Sequence, residues 1–183
     1  MPLTALTDRV IALGDEAPGA ILGRGFTPAE IQAFLYYLHG AHMVARGVPL
    51  VDEPFRAWAD GVALPSVHQR LLPHDGAPVP LTARRSARSA PGEHLPAALS
   101  ALVETTWQGL YHAIAGGGLM AHPCLTGHAW QQARAMPGPW PEQGPALDDA
   151  AIAEDARRAR IVPPAEGEVV AFRPGGPPPS AIG

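Results

Sequence analysis

Lysine is absent from the sequence, and all 13 basic residues are arginine. This absence excludes lysine-based chemistry, such as a Schiff base or the lysine of a phosphate-binding loop. Positive charge is also scarce overall, since the formal net charge is −4. A nucleic-acid or anionic-membrane surface needs clustered positive charge. We therefore expect the protein to bind neither nucleic acid nor a membrane.

Cysteine and long apolar runs are scarce as well. Cys124 is the one cysteine, so no intramolecular disulfide can form, and the chain fits a reducing compartment. Residues 105–133 form the longest uncharged stretch, but glycine, proline and histidine interrupt it, whereas a membrane helix needs about 20 mostly apolar residues. The first 16 residues carry Asp8 and Asp15 and no basic opening, which is unlike a signal peptide. We expect a soluble, cytoplasmic protein.

Proline and glycine are abundant, with 22 and 20 residues. A hydrophobic fraction of 46% with 16% charged residues indicates a globular protein, so much of this excess must lie in loops or a tail. We predict one mainly α-helical domain, a compact helical bundle, over residues 1–160. Residues 161–183 lack periodicity and predict a flexible, disordered Pro/Gly-rich tail.

The clearest predicted helix follows Thr27. Thr27 as N-cap, Pro28 at the first helical position and Glu30 three residues after the cap form a capping box, and Gly47 ends the pattern. Gly40 lies inside this helix, where glycine costs roughly 1 kcal/mol, so we expect a close neighbour there. One apolar face is predicted to hold Ile31, Phe34, Leu35, Leu38 and His42.

Other helices are weaker in signal. Residues 3–13 predict a first helix with Gly14 as its C-cap, and a further helix opens at Pro65. The apolar stripe of residues 95–115 predicts the central helix of the bundle. Residues 128–135 and 147–160 predict the last two helices, the second with acids in its first turn and arginines in its last.

Two segments are predicted to be irregular. Pro49 and Pro54 cannot both sit in a regular helix or central strand, so residues 48–61 predict a proline-punctuated loop. Residues 73–94 are polar and rich in turn residues, which predicts an exposed loop. Its Arg84, Arg85 and Arg88 are either simply solvated or a contact site for an acidic partner.

Several residues could carry chemistry, and each has a simpler structural interpretation. His39 and His42, with His68, could form a metal or proton-transfer group, but histidines lining a helix seam are commoner. Cys124 could be a nucleophile only if a base and an orienting group converge on it.

A second group of possible ligands lies in the glycine-rich stretch. His122, Cys124 and His128 could bind zinc, although a closed site needs four ligands. Gly116, Gly117 and Gly118 lack the residues of a phosphate loop and favour a helix-terminating turn. The sequence therefore indicates no cofactor and no assembled catalytic group.

One set of residues between positions 27 and 68 occurs at fixed spacing: Tyr36, Tyr37, Gly40, Gly47, Pro49, Leu50, Glu53, Ala57, Trp58, Gly61, Pro65 and Ser66. With this pattern, residues 27–68 resemble the SocA-like antitoxins built on the Panacea domain. The likeness extends more weakly over about residues 5–155. Asp60, Val62 and His68 stand where that family usually has Tyr, Pro and Tyr, and Ala33 replaces a usual Lys.

The resemblance implies an antitoxin, not an enzyme. Members of the family neutralise a toxin encoded beside them by direct contact, and SocA acts as an adaptor that presents its toxin to the ClpXP protease. The expected partners are therefore a cognate toxin and, in the adaptor version, ClpX. The expected partner-binding residues are Glu53, Arg56, Trp58 and Asp60, because tryptophan and arginine dominate interface hot spots. The alternatives are a metal-dependent hydrolase using the clustered histidines and a phage-related accessory protein.

Overall fold

Helices make up most of the structure. The computed structural model describes residues 3–16, 25–80, 95–115, 127–159 and 161. The elements in chain order are α1 (Leu3–Glu16), α2 (Pro28–Arg46), β1 (Arg56–Trp58), β2 (Gly61–Ala63), α3 (Pro65–Leu71), a 3-10 turn (Leu72–His74), α4 (Ala97–Ala115), α5 (His128–Ala135) and α6 (Asp149–Arg158). The predicted mainly α-helical class is confirmed.

Helix α2 begins and ends as predicted. The Thr27 backbone N–H donates to Oε2 of Glu30 at 2.8 Å, and the Glu30 N–H donates to Oγ1 of Thr27 at 3.3 Å. Both halves of the capping box are therefore present. At the other end Gly47 adopts φ 69°, and its N–H donates to the Met43 carbonyl at 2.9 Å. The left-handed conformation explains why glycine follows this helix.

The central helix is α2, so the prediction that residues 95–115 form it was wrong. Every residue of α2 from Glu30 to Ala41 is buried, whereas α4 exposes Ala101 and Gly109 on its outer side. A helix covered all round belongs in the middle of a bundle, and a helix with one apolar stripe covers it. The predicted stripe itself is confirmed at the buried residues Leu99, Leu102, Val103, Trp107 and Leu110.

Helix α6 lies close against α2 at Gly40. An added Cβ on Gly40 would lie 2.8 Å from the Ala156 Cβ and 2.9 Å from the Ile152 carbonyl oxygen. The expectation of a close neighbour at Gly40 is confirmed. One turn earlier, the Tyr36 hydroxyl donates to Oδ2 of Asp155 at 2.7 Å.

Helix α1 does not stop at Gly14, which corrects the prediction of a C-cap there. The helix continues to Glu16, and Gly14 is buried inside it. An added Cβ at Gly14 would lie 2.7 Å from Cδ2 of Phe26. Glycine is therefore needed at this position for space, not to terminate the helix.

The segment predicted as an irregular loop contains a β-hairpin. Strands β1 and β2 pair antiparallel with Arg56 opposite Ala63 and Trp58 opposite Gly61. The prediction of a loop over residues 48–61 was wrong for residues 56–58 and for Gly61, because Pro54 precedes β1 and occupies no position in its ladder. Chain from beyond α5 pairs with the other edge of β1: the Ala57 N–H donates to the Pro145 carbonyl at 2.9 Å, and the Leu147 N–H donates to the Phe55 carbonyl at 2.8 Å.

The segment predicted as an exposed loop after residue 72 is partly anchored. Val79 is buried, and its N–H donates to the Phe26 carbonyl at 2.8 Å, so the prediction of exposure was wrong there. The predicted helices from Pro65, over residues 128–135 and after Asp148 are confirmed.

Several predictions fall outside the described residues. Of the tail predicted over residues 161–183, the structure describes only Ile161, which is buried. Residues 162–183 lie outside the described residues. So do three groups singled out in the sequence: the cluster Arg84, Arg85 and Arg88, the glycines Gly116, Gly117 and Gly118, and the possible ligands His122 and Cys124.

Candidate partner-binding site

The hairpin has an inner and an outer face. Ala57 of β1 is buried, whereas Arg56 and Trp58 on either side of it are half-buried, as strand alternation requires. The cross-strand partners of these two large side chains are Ala63 and Gly61. Large side chains on one strand therefore stand opposite small ones on the other, which leaves space on the outer face.

Buried hydrogen bonds fix the hairpin to α2. The Gln32 side chain accepts from the Leu64 N–H at 2.9 Å and donates to the Leu64 carbonyl at 3.2 Å. Gln32 is almost fully buried. Its amide group satisfies the backbone N–H and carbonyl of Leu64, the residue that follows β2. The position of the hairpin is thus set by a polar side chain on a helix otherwise rich in apolar residues.

Trp58 contacts α3 through its ring and α5 through its backbone carbonyl. Its ring centroid lies 4.3 Å from that of His68 on α3, and its carbonyl accepts from Nε1 of Trp130 at 2.8 Å. Its own Nε1 is covered and has no hydrogen-bond partner among the described residues. The indole therefore presents ring carbon, and not its N–H, to the surface.

Glu53 serves the fold in this structure. Its Oε1 accepts from the Ser66 N–H at 2.9 Å, and its Oε2 accepts from the Ser66 hydroxyl. Helix α3 begins after Leu64, whose side chain makes no capping bond, so Glu53 supplies the acceptor and the negative charge that a helix N-terminus favours.

Arg56 is also engaged within the chain. Its Nη1 donates to the Gly144 carbonyl at 3.3 Å, and Nε is buried without a hydrogen-bond partner in the described ranges. Gly144 adopts φ 75°, and a Cβ there would lie 1.9 Å from the Ala57 carbonyl oxygen. The guanidinium thus points toward the segment near Gly144, which pairs with the edge of β1 opposite to β2.

Asp60 differs from the other three predicted residues. It occupies the two-residue turn between β1 and β2 and is exposed. It borders a surface pocket of about 180 Å³. The pocket is lined by Pro28, Ala29, Gln32, Trp58, Asp60, Gly61, Val62, Ala63, His68 and Gly76.

The structure therefore brings the four predicted residues to one region but gives them different surroundings. Trp58 and Asp60 face the pocket, whereas Glu53 and Arg56 are bound to other parts of the chain. Sequence reasoning missed Gln32 and Trp130, which position the hairpin. No spacing rule signals either contact, because each joins residues more than 30 positions apart.

The histidines predicted as a possible metal or proton-transfer group have separate partners. His39 Nε2 donates to Oδ1 of Asp149 at 3.1 Å, His42 Nδ1 lies 2.9 Å from the Val48 carbonyl oxygen, and His68 contacts Trp58. Burial lowers the pKa of His39, and the Asp149 carboxylate opposes this effect. Within the described ranges, no three His, Cys, Asp or Glu side chains are arranged to hold a metal ion.

No family model, curated protein or solved structure matches this chain. In the part of the chain that the structure covers, no helix combines the length and apolar character needed to cross a bilayer.

Proposed function

We propose that the protein is an antitoxin that binds and neutralises a toxin encoded beside it, acting in the cytoplasm as a protein-binding module of the SocA-like type. The proposal rests on one observation: residues that carry the resemblance to that family occupy positions that the fold specifically requires. These structural roles are what the resemblance predicts for those positions, and they support the proposal. The family's function is proposed for this chain through that resemblance.

Three examples show the correspondence. At Gly40, α6 lies so close to α2 that an added Cβ would be 2.8 Å from the Ala156 Cβ. Gly47 adopts the left-handed conformation that ends α2. Glu53 and Ser66, thirteen residues apart, are hydrogen-bonded partners at the start of α3.

The hairpin and the segment after α5 carry large side chains of the kind found in protein contact sites. Trp58 is half-buried, and Met136 and Trp140, which follow α5, are 63% and 37% exposed. Aromatic residues and methionine are enriched in interfaces. The Arg134 guanidinium lies 5.5 Å from the Trp130 ring centroid and donates to the Ala57 carbonyl at 3.4 Å. These contacts attach β1 to α5 and make the hairpin more rigid. A rigid surface loses less entropy on binding.

The partner-facing residues follow from these contacts. Trp58 and Asp60 face outward and are proposed to meet the toxin directly. Glu53 and Arg56 are proposed to act indirectly, by holding α3 and β1 in place. A specific interface buries about 1,600 Å² in total, so the toxin must extend well beyond the pocket.

The test is co-expression with the product of the neighbouring reading frame. We expect growth to be rescued and the two proteins to co-purify. Toxicity that persists despite soluble antitoxin, together with no co-purification, would contradict the proposal.

The same assay separates sequestration from delivery to a protease. In the adaptor version, a second region of the chain holds ClpX while the helical domain holds the toxin, which raises their effective concentration. Rescue that disappears in cells lacking the ClpXP protease would favour the adaptor version. Rescue that persists without the protease would favour sequestration.

A further inference from the structure

The pocket beside the hairpin is a small, shaped site. Its volume of about 180 Å³ is similar to that of a cavity of about 150 Å³ that accepts one benzene molecule. Its walls come from the start of α2, the hairpin and α3. Such a space fits one planar side-chain group and is too small for a nucleotide.

The pocket exists because of the hairpin register. Trp58 stands opposite Gly61, and Arg56 stands opposite Ala63. No large side chain on β2 fills the space beside the indole. The small residues therefore leave a recess beside the indole of Trp58.

The polar groups of the wall are few and most are already engaged. The Gln32 amide makes both of its bonds to Leu64, and the Trp58 N–H is covered. Asp60 is exposed and makes no hydrogen bond or ion pair with any described residue. Among the described residues, no arginine lines the pocket. Within the described ranges, what remains for a ligand is aromatic carbon, the carboxylate of Asp60 and the ring of His68.

Two arginines of the described residues lie near the hairpin, and both make their hydrogen bonds outside this recess. Arg56 shares the outer face of β1 but donates to Gly144 on the side away from β2. Arg134 donates to the Ala57 carbonyl. Neither side chain is placed to neutralise Asp60.

We propose that this pocket receives an arginine side chain of the partner protein. A guanidinium is planar, stacks on aromatic rings and pairs with carboxylates through several donors, so it matches each free feature of the wall. A neutral aromatic side chain would use the ring surface but leave the carboxylate unused. As a statement about the partner this inference rests on the proposed function, whereas the preference of the pocket for a guanidinium does not.

The test is a titration of the isotope-labelled full chain with N-acetyl-arginine amide, followed by the NMR signal of the Trp58 indole N–H. N-acetyl-citrulline amide is the matched probe, because it has nearly the same shape and no charge. We expect a saturable shift with the arginine probe and binding at least about threefold weaker with the citrulline probe, at low salt.

Two variants locate the effect. Asp60→Asn removes the charge and keeps a residue that turns tolerate, and we expect it to weaken binding of the arginine probe about threefold or more. Asp52→Asn makes the same change at an exposed aspartate that does not line the pocket, and we expect no change. Unaltered dispersion of the remaining signals confirms that both variants are folded.

The proposal is overturned if the Trp58 signal does not shift, if both probes bind equally well, or if Asp60→Asn binds the arginine probe like the parent chain. The titration contains no toxin, so a negative result leaves neutralisation untouched. A failed rescue in cells likewise leaves the binding preference of the pocket untouched.

Discussion

Gly40 has no side chain, and this allows α2 and α6 to pack closely against each other. An added Cβ would meet the Ala156 Cβ at 2.8 Å and the Ile152 carbonyl oxygen at 2.9 Å. Contacts this short force a shift of one helix, because the interior is close-packed. The cost of glycine in a helix is thus offset by the packing it permits.

We predict that Gly40→Ala destabilises the protein by about 1 kcal/mol or more, since overpacking outweighs the gain in helix propensity. Gly109→Ala is the matched control. A Cβ at Gly109 would meet Ile161 Cγ1 at an ordinary 3.5 Å, so this change should leave stability equal or raise it by up to about 1 kcal/mol. Urea denaturation measures both. Equal effects of the two substitutions would show that the contact at Gly40 is not limiting.

A second residue, His39, links stability to pH. The side chain is almost fully buried and faces Asp149 and the Phe55 ring. Because burial lowers its pKa in the folded state, the unfolded state binds the proton first as the pH falls. The folded state is therefore fully favoured above the unfolded pKa of about 6.5 and loses stability below it.

We predict that stability falls by at most about 1.4 kcal/mol per pH unit from this group as the pH is lowered from 7 toward 5. His39→Gln should flatten that slope, whatever its effect on stability at pH 7. His74→Gln, at a partly exposed position in the 3-10 turn, is the control and should retain the slope. Denaturation midpoints at several pH values decide the matter, and an unchanged slope in His39→Gln would contradict the assignment.

At the scale of elements, two helices receive their N-terminal caps from distant carboxylates. Helices α3 and α5 follow Leu64 and Gly127, which make no side-chain capping bonds. Glu53 accepts from Ser66 at the start of α3, and Asp155 accepts from Ala129 at 3.1 Å at the start of α5. By contrast, α2 and α6 are capped locally, by Thr27 and Asp148.

We predict that Glu53→Gln destabilises the protein by about 1 kcal/mol, in the range of other lost helix caps. Glu142→Gln should have little effect, because Glu142 is exposed and makes no hydrogen bond among the described residues. Thermal unfolding of the two variants gives the comparison. If Glu53→Gln were as stable as the parent chain, the carboxylate would not be acting as a cap.

Elements that are fixed by residues close in the sequence were predictable, whereas elements fixed by distant residues were not. The limits of α2 were predictable because Thr27, Pro28, Glu30 and Gly47 lie within or next to the helix they define. The hairpin was missed because its stability comes from Gln32 and from chain near Pro145. Neither contact leaves a periodic signal, so a proline-rich loop was the natural prediction.

At the scale of the whole molecule, Asp155 connects three helices. Its Oδ2 accepts from the Tyr36 hydroxyl of α2 and from the Ala129 N–H of α5, while Asp155 itself belongs to α6. The residue is almost fully buried, so removing the carboxylate takes away the acceptor of two buried donors. This carboxylate therefore helps to join α5 and α6 to α2.

We predict that Asp155→Ala costs about 3 kcal/mol and Tyr36→Phe about 1 kcal/mol. The double variant should lose less than the sum, because both changes remove the same hydrogen bond. A double-mutant cycle by urea denaturation measures the coupling. Strictly additive losses would mean that Tyr36 and Asp155 do not interact in solution.

The proximity of the four candidate residues was predictable from the sequence, whereas their surroundings were not. They lie in one region because they occupy positions 53–60 of the chain, in the hairpin or just before it. Which of them face outward was not predictable, since the engagement of Glu53 and Arg56 depends on Ser66 and Gly144. The separation of the three histidines likewise depends on Asp149, more than 100 residues from His39.

The hydrogen bond between Tyr36 and Asp155 spans 119 residues. During synthesis, therefore, the apolar surface of α2 leaves the ribosome long before its cover has been translated. A nascent chain in that condition is a natural client for chaperones and a target for quality-control proteases.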